Sequence, residues 1–173
     1  MSIVRLVIVG ALLSSTAALF CQTQAQAPDL RTQLAAIDYR HFSDLDDYIS
    51  RCQKVKVLLP SLDSFYNQSD ATLAQLRIKY RDNPHLLKMA DFYTSMNKLD
   101  KAGLVLLRQE MELASEMSRL SQREQQSFFD KEIIPIQAQE DRLSKQEIQT
   151  AIDAKRSGIP LPPDIDRSLS DMK

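Results

Sequence analysis

Tryptophan is absent from this chain, and glycine, histidine and cysteine are nearly so: three, two and two among 173 residues. Each shortage excludes a class of structure or chemistry. Phosphate-cradling loops and the Gly-x-Ser-x-Gly nucleophile elbow need glycines close together, whereas Gly10, Gly103 and Gly158 are scattered. Asn-Gly and Asp-Gly turns are missing too. A sandwich or barrel built on tight hairpins is therefore excluded, and an all-α protein is expected. His41 and His85 form neither a His-x-x-x-His pair nor the Glu-x-x-His of a di-iron bundle, and no Cys-x-x-Cys-His offers a haem attachment. Charge of one sign is also lacking. The 22 Lys and Arg against 23 Asp and Glu give a net charge of −1 and are interspersed. Without a basic stripe, neither nucleic acid nor an anionic membrane surface is expected as a partner.

The first feature present is at the amino end. Arg5 precedes an apolar run that reaches Phe20, and Ala25-Gln26-Ala27 follows. A positive start, an apolar segment and a small-residue exit form a secretory signal, assigned here to residues 1–27. Cutting after Ala25 avoids leaving Pro28 directly after the break. Phe20 before Cys21 is too bulky for a lipoprotein site, and Ile3 to Phe20 barely reaches the ~20 residues of a span. A retained anchor would tether the protein to a membrane. The expected location is periplasmic or secreted. Removal of the signal leaves Cys52 alone, expected as a buried thiol rather than a nucleophile or an intermolecular disulfide.

The remainder reads as helices. Leu45, Tyr48, Cys52, Val55, Leu59, Leu62, Tyr66, Ser69, Leu73, Leu76 and Tyr80 follow one another in steps of three and four. Asn83-Pro84 then marks a helix start, with Asn83 as the cap. The pattern resumes at Met89, Phe92, Met96, Leu99, Gly103, Leu106, Glu110, Leu113, Met117 and Leu120. Sustained spacing of this kind is a coiled-coil seam. The fold expected is a long antiparallel helical hairpin turning at 81–84, with arms of roughly 54 Å at 1.5 Å per residue. Val57 to Pro60 would lie opposite Gly103 to Leu107. A rival turn at Asn67 to Asp70 would make a compact four-helix bundle instead. Ser43 is read as the cap of the first arm with Asp46 at its third position. That reading makes His41 with Asp44, Asp46 and Asp47 a helix start and not a metal site. Glu110 on the seam is either a buried carboxylate or, the reading preferred, shifted to the rim beside Arg108 or Lys101.

A third helix begins near Pro135, carries Ile136, Leu143, Ile148 and Ile152, and ends at Gly158. It is expected to pack on the base of the hairpin and to stop short of Leu107. Residues 28–158 thus form the helical domain, and 159–173 a proline-rich tail folded onto it. Ser-x-x-Glu occurs at both Ser121 and Ser144 and is read as helix composition.

No catalytic constellation appears, and no cofactor or metal is expected. What remains is surface. Leu104-Val105-Leu106-Leu107 points all round its helix and needs cover. With Val57 and Leu58 it forms a candidate contact zone. Met89, Phe92, Tyr93 and Met96 form a second zone, weighed against ordinary core. The function expected is an exported, non-enzymatic protein acting through protein contacts as a scaffold, adaptor or holdase. Its partner is a second copy in a homodimer, or another exported protein. A compact bundle carrying an apolar molecule or lipid is the alternative, and a membrane-tethered spacer the third reading.

Overall fold

The computed structural model describes residues 27–161 and 163–171. Residues 1–26, on which the expected secretory signal and Cys21 fall, lie outside the described residues. All described elements are helical: α1 (Ala27–Ile37), α2 (Leu45–Lys79), α3 (Pro84–Met117), α4 (Gln122–Phe128), a π-helical turn (Phe129–Ile133), α5 (Ile134–Arg156) and α6 (Pro163–Asp171).

Helices α2 and α3 are the hairpin. At 35 and 34 residues, each is about 50 Å long. Helix α2 runs unbroken through Asn67–Asp70 and carries Pro60 inside it, so the turn that a compact bundle needed is not formed. Pro60 has no N–H for the Lys56 carbonyl one turn back, and both residues are exposed, so that carbonyl is in reach of water. The reversal is capped as expected. The Asn83 side chain accepts from the backbone N–H groups of His85 and Leu86, both at 3.2 Å. At the start of α2 the cap is Asp44 rather than Ser43. Its carboxylate accepts from the Asp47 backbone N–H at 2.9 Å. The Asp47 side chain returns to the Ser43 N–H at 3.1 Å and to Arg51 at 2.8 Å. The cap thus sits one residue later than Ser43 and Asp46 implied, and the returning bond goes to the residue before it. A carboxylate cap also complements the helix dipole.

Every residue of the two seams is buried or half-buried. The arms are further joined by Asp63–Arg108, by Asp70–Lys101 at 2.6 Å and by Arg77–Asp91 at 2.9 Å. These pairs are partly exposed and stabilise little individually; their arrangement follows from the antiparallel pairing.

Helix α1 was not foreseen. Leu30, Leu34 and Ile37 recur at helical spacing and pack against the main core. The chain then reverses through Asp38 at φ +44, a left-handed conformation that aspartate tolerates better than most residues. The Arg51 guanidinium holds the reversal by donating to the Ile37 carbonyl at 3.0 Å.

After α3, Ser121 and Glu124 form a reciprocal capping box that opens α4. The chain continues without a break through the π turn into α5, and Pro135 sits in the first turn of α5. The second Ser-x-x-Glu, Ser144 to Glu147, caps nothing: it lies inside α5, with Glu147 buried. Helix α5 runs antiparallel to α3. Gln137 reaches Glu110 near the base, while Ala151 and Ala154 cluster with Met96 and Phe92 near the tip. It therefore passes Leu104 to Leu107 instead of stopping short of them. The expectation failed because it matched residue numbers from the loop and ignored that α5 starts level with Glu110, not at the foot of α3.

Candidate functional site

The interior of this molecule is unusual in one respect: Asp100, Glu110, Glu140 and Glu147 are all buried. Buried carboxylates are costly unless their lone pairs are satisfied, so their positions locate the strongest chemical demand in the fold. All four lie on the two helices that pack together, Asp100 and Glu110 on α3 and Glu140 and Glu147 on α5. The antiparallel register that sets Gln137 against Glu110, and Ala151 and Ala154 against Met96 and Phe92, brings Glu147 level with Asp100. Each of the four is engaged in a hydrogen-bonding or electrostatic interaction.

The network is best defined around Glu110. Its Oε1 accepts from the Tyr48 hydroxyl at 2.8 Å and from Gln137 Nε2 at 2.7 Å. One carboxylate oxygen thereby ties α2, α3 and α5 together. Tyr48 is fully buried between the rings of Phe42 and Phe129, with centroids 5.0 and 5.1 Å away. One turn above it, Cys52 is also buried. Burial, followed by the Glu110 charge, drives the Tyr48 hydroxyl far above its ordinary pKa. Burial likewise pushes the Cys52 thiol up to about 12. Both groups are therefore protonated at neutral pH. Tyr48 acts as a donor to Glu110, and the thiol is no nucleophile.

A second clasp lies beside it. Arg40, in the reversal after α1, pairs with Glu140 and reaches Asp141 at 3.3 Å. Burial opposes the Arg40 charge, but Tyr39 and Glu140 outweigh it and raise its pKa. The Tyr39 hydroxyl, 3.5 Å from Glu140, is raised by burial first and then by Glu110 and Glu140. This clasp pins the α1–α2 reversal onto α5.

Glu110 at the rim was the wrong expectation. The residue is wholly inside because Tyr48 and Gln137 supply the donors that make burial tolerable. Glu140 and Glu147 were missed altogether. Their signal was present in the sequence: Ile136, Glu140, Leu143, Glu147, Ala151 and Ala154 recur in steps of three and four. Reading α5 by its isoleucines favoured Ile148 and Ile152, which are only half-buried. Among the described residues no group of three His, Cys, Asp or Glu side chains could hold a metal ion. His41 lies 2.7 Å from Asp38 on the surface, while Asp44 caps α2 and Asp47 stands in its first turn.

The residues expected at a contact zone separate into groups. Val57 and Val105 are 76% and 60% exposed. Leu58 and Leu107 are half-buried against the main core, and Leu104 is within it. Phe92, Tyr93 and Met96 are buried in a second cluster, with Met89 at its edge. That second cluster is completed by α5 and the tail: Ala151, Ala154, Ile159, Leu161, Ile165 and Leu169 pack on it.

No protein-family model, no curated protein and no solved structure matches this chain.

Proposed function

We propose that the chain is an exported, non-enzymatic helical protein that acts through protein contacts, as a scaffold, adaptor or holdase. The observation that carries this reading is the pair of unbroken arms of about 50 Å. Long helices braced along their length display an extended side to a partner while changing little themselves. The polar groups of the interior support it. Tyr48, Glu110, Gln137, Arg40 and Glu140 are bonded across helices, and the Cys52 thiol is held protonated by burial. Such groups brace a frame. The contact surface proposed is the middle of the hairpin, where Val57 and Val105 are exposed beside the half-buried Leu58 and Leu107. The partner is a second copy or another exported protein. The continuity of α2 through residues 67–70 favours this rod over a compact lipid carrier.

The test is sedimentation of protein recovered from the exported fraction, whose intact mass reports loss of the segment ending at Ala25 or Ala27. Wild type is expected to travel as a dimer or with one exported partner. Val57→Lys with Val105→Lys should release it without loss of helix content, because both side chains are exposed. A wild type that is monomeric and partnerless at micromolar concentration refutes the reading.

A further inference from the structure

The tip of the hairpin is roofed by the chain's own tail. Phe92, Tyr93 and Met96 of α3 and Ala151 and Ala154 of α5 form the floor of a groove, with Leu73 and Met89 at its edges. Into it the tail inserts Ile165, 3% exposed, while Ile159, Leu161 and Leu169 are half-buried around it. Within α6, Ile165 and Leu169 are spaced by four, the repeat of a helix laid in a groove, and Leu161 precedes them in the link. At the margin, Lys155 of α5 pairs with Asp166 of α6. We propose that this groove is a receptor for an amphipathic helix and that its external occupant is α6 of a second copy, the two chains exchanging tails.

Complementarity is already demonstrated by the tail's own seat. An exchanged tail remakes every one of these contacts, so only association opposes it, the usual route to a swapped dimer. Among the described residues the anchor is small: one buried side chain, three half-buried ones and the Lys155–Asp166 pair. A nine-residue helix is also marginal by itself, so α6 depends on a groove to exist. The connection suits exchange. Gly158 at φ +75 closes α5, with the Gly158 N–H donating to the Lys155 carbonyl at 3.1 Å and the Ile159 N–H to the Ala154 carbonyl at 3.0 Å. Ile159 to Leu161 then leave the helix, and Pro160 restricts the backbone there. A short hinge favours passing a segment to a neighbour. The floor is adaptable as well: thioethers and rings reshape around an incoming helix, and Ala151 and Ala154 let it approach closely. The inference stands on the groove alone and goes beyond the contact surface proposed at mid-hairpin.

The experiment mixes two full-length variants, one carrying Lys155→Cys and the other Asp166→Cys, and treats them with a short thiol cross-linker. Mass spectrometry identifies the linked peptides; the buried Cys52 thiol does not compete. A 155–166 link between the two different chains is expected, with a yield that rises with concentration. Adding Ile165→Asp to the Asp166→Cys chain should cut the yield by roughly tenfold or more, since it takes the one fully inserted apolar side chain out of the groove. A chain carrying both cysteines is the internal control. If it links within itself while no inter-chain link forms at high concentration, the groove serves only its own tail and the proposal is overturned. A dimer that forms without the 155–166 link overturns it as well, and leaves the mid-hairpin surface standing. Failure of the internal link means α6 does not occupy the groove, which also overturns it.

Discussion

Alkaline pH is a sharp probe of this interior. Cys52 is lifted by burial from an ordinary 9.0 to about 12, and Tyr93, again by burial, from 10.0 to about 12. A raised pKa means that the folded chain keeps a proton that the unfolded chain releases. The corresponding stability is complete below the ordinary value and is lost as pH climbs through the raised one. Three units for the thiol correspond to about 4 kcal/mol, and two for Tyr93 to about 3 kcal/mol. Tyr48 and Tyr39, raised by burial and then by Glu110, steepen the same limb. Against a typical domain stability of about 5–15 kcal/mol, the protein should unfold cooperatively between about pH 9 and 12.

The assay follows helix content by circular dichroism and tyrosinate by near-ultraviolet absorbance in one titration. Tyr39, Tyr48 and Tyr93 should ionise only as helix is lost, so the two signals share a midpoint. Cys52→Ala should flatten the fall of stability with pH by up to about 1.4 kcal/mol per pH unit, the worth of one proton. That slope is insensitive to any constant cost of the smaller side chain. If those three rings ionise gradually near pH 10 with the helices intact, they are not enclosed and the reasoning fails.

Two further outcomes follow from single groups. Tyr48→Phe removes the hydroxyl that donates to Glu110 at 2.8 Å and leaves Gln137 as that oxygen's other donor; chemical denaturation should record a loss of about 1.5–3 kcal/mol, the range for a hydrogen bond to a charged group. Gly158→Ala should lower stability by about 1–2 kcal/mol in thermal melts, wholly through the backbone, because Gly158 sits at φ +75 and an added Cβ would meet nothing within 4 Å.

The hairpin was legible because its signal is apolar and long. Twenty-one positions in steps of three and four, interrupted by one capped reversal, leave few alternatives, and all of them face inward or half inward. What the sequence could not announce was polar burial. Glu140 and Glu147 look like solvated residues until donors from distant segments are known. Arg40 lies a hundred residues before Glu140, and no local pattern couples them. Helix α1 was hidden for a different reason. It starts at the end of the small-residue stretch Ala25 to Ala27, and its three apolar positions become a face only when α2 is there to receive them. The cap of α2 slipped by one residue because Ser43-Asp44 offers two side chains competent for the same bond. Asp44 takes it with a carboxylate, the stronger acceptor.

The polar groups between α3 and α5 also decide the register in which the two helices meet. Helix α5 nearly repeats itself each heptad: Ile136 and Leu143 are seven apart, as are Glu140 and Glu147, and Ala154 follows Glu147 by the same step. Apolar packing alone would discriminate weakly against a one-heptad slide. Glu147 would even replace Glu140 beside Arg40. The slide fails at the neighbours of the glutamates. Ser144 would stand where Gln137 now donates to Glu110, too short to reach, and Ile148 would stand where Asp141 now accepts from Arg40. A buried carboxylate that loses one of its donors is heavily penalised. The residue that most singles out the observed pairing is therefore Gln137. Buried Glu110 gives it that leverage, by making a register without its donor electrostatically expensive.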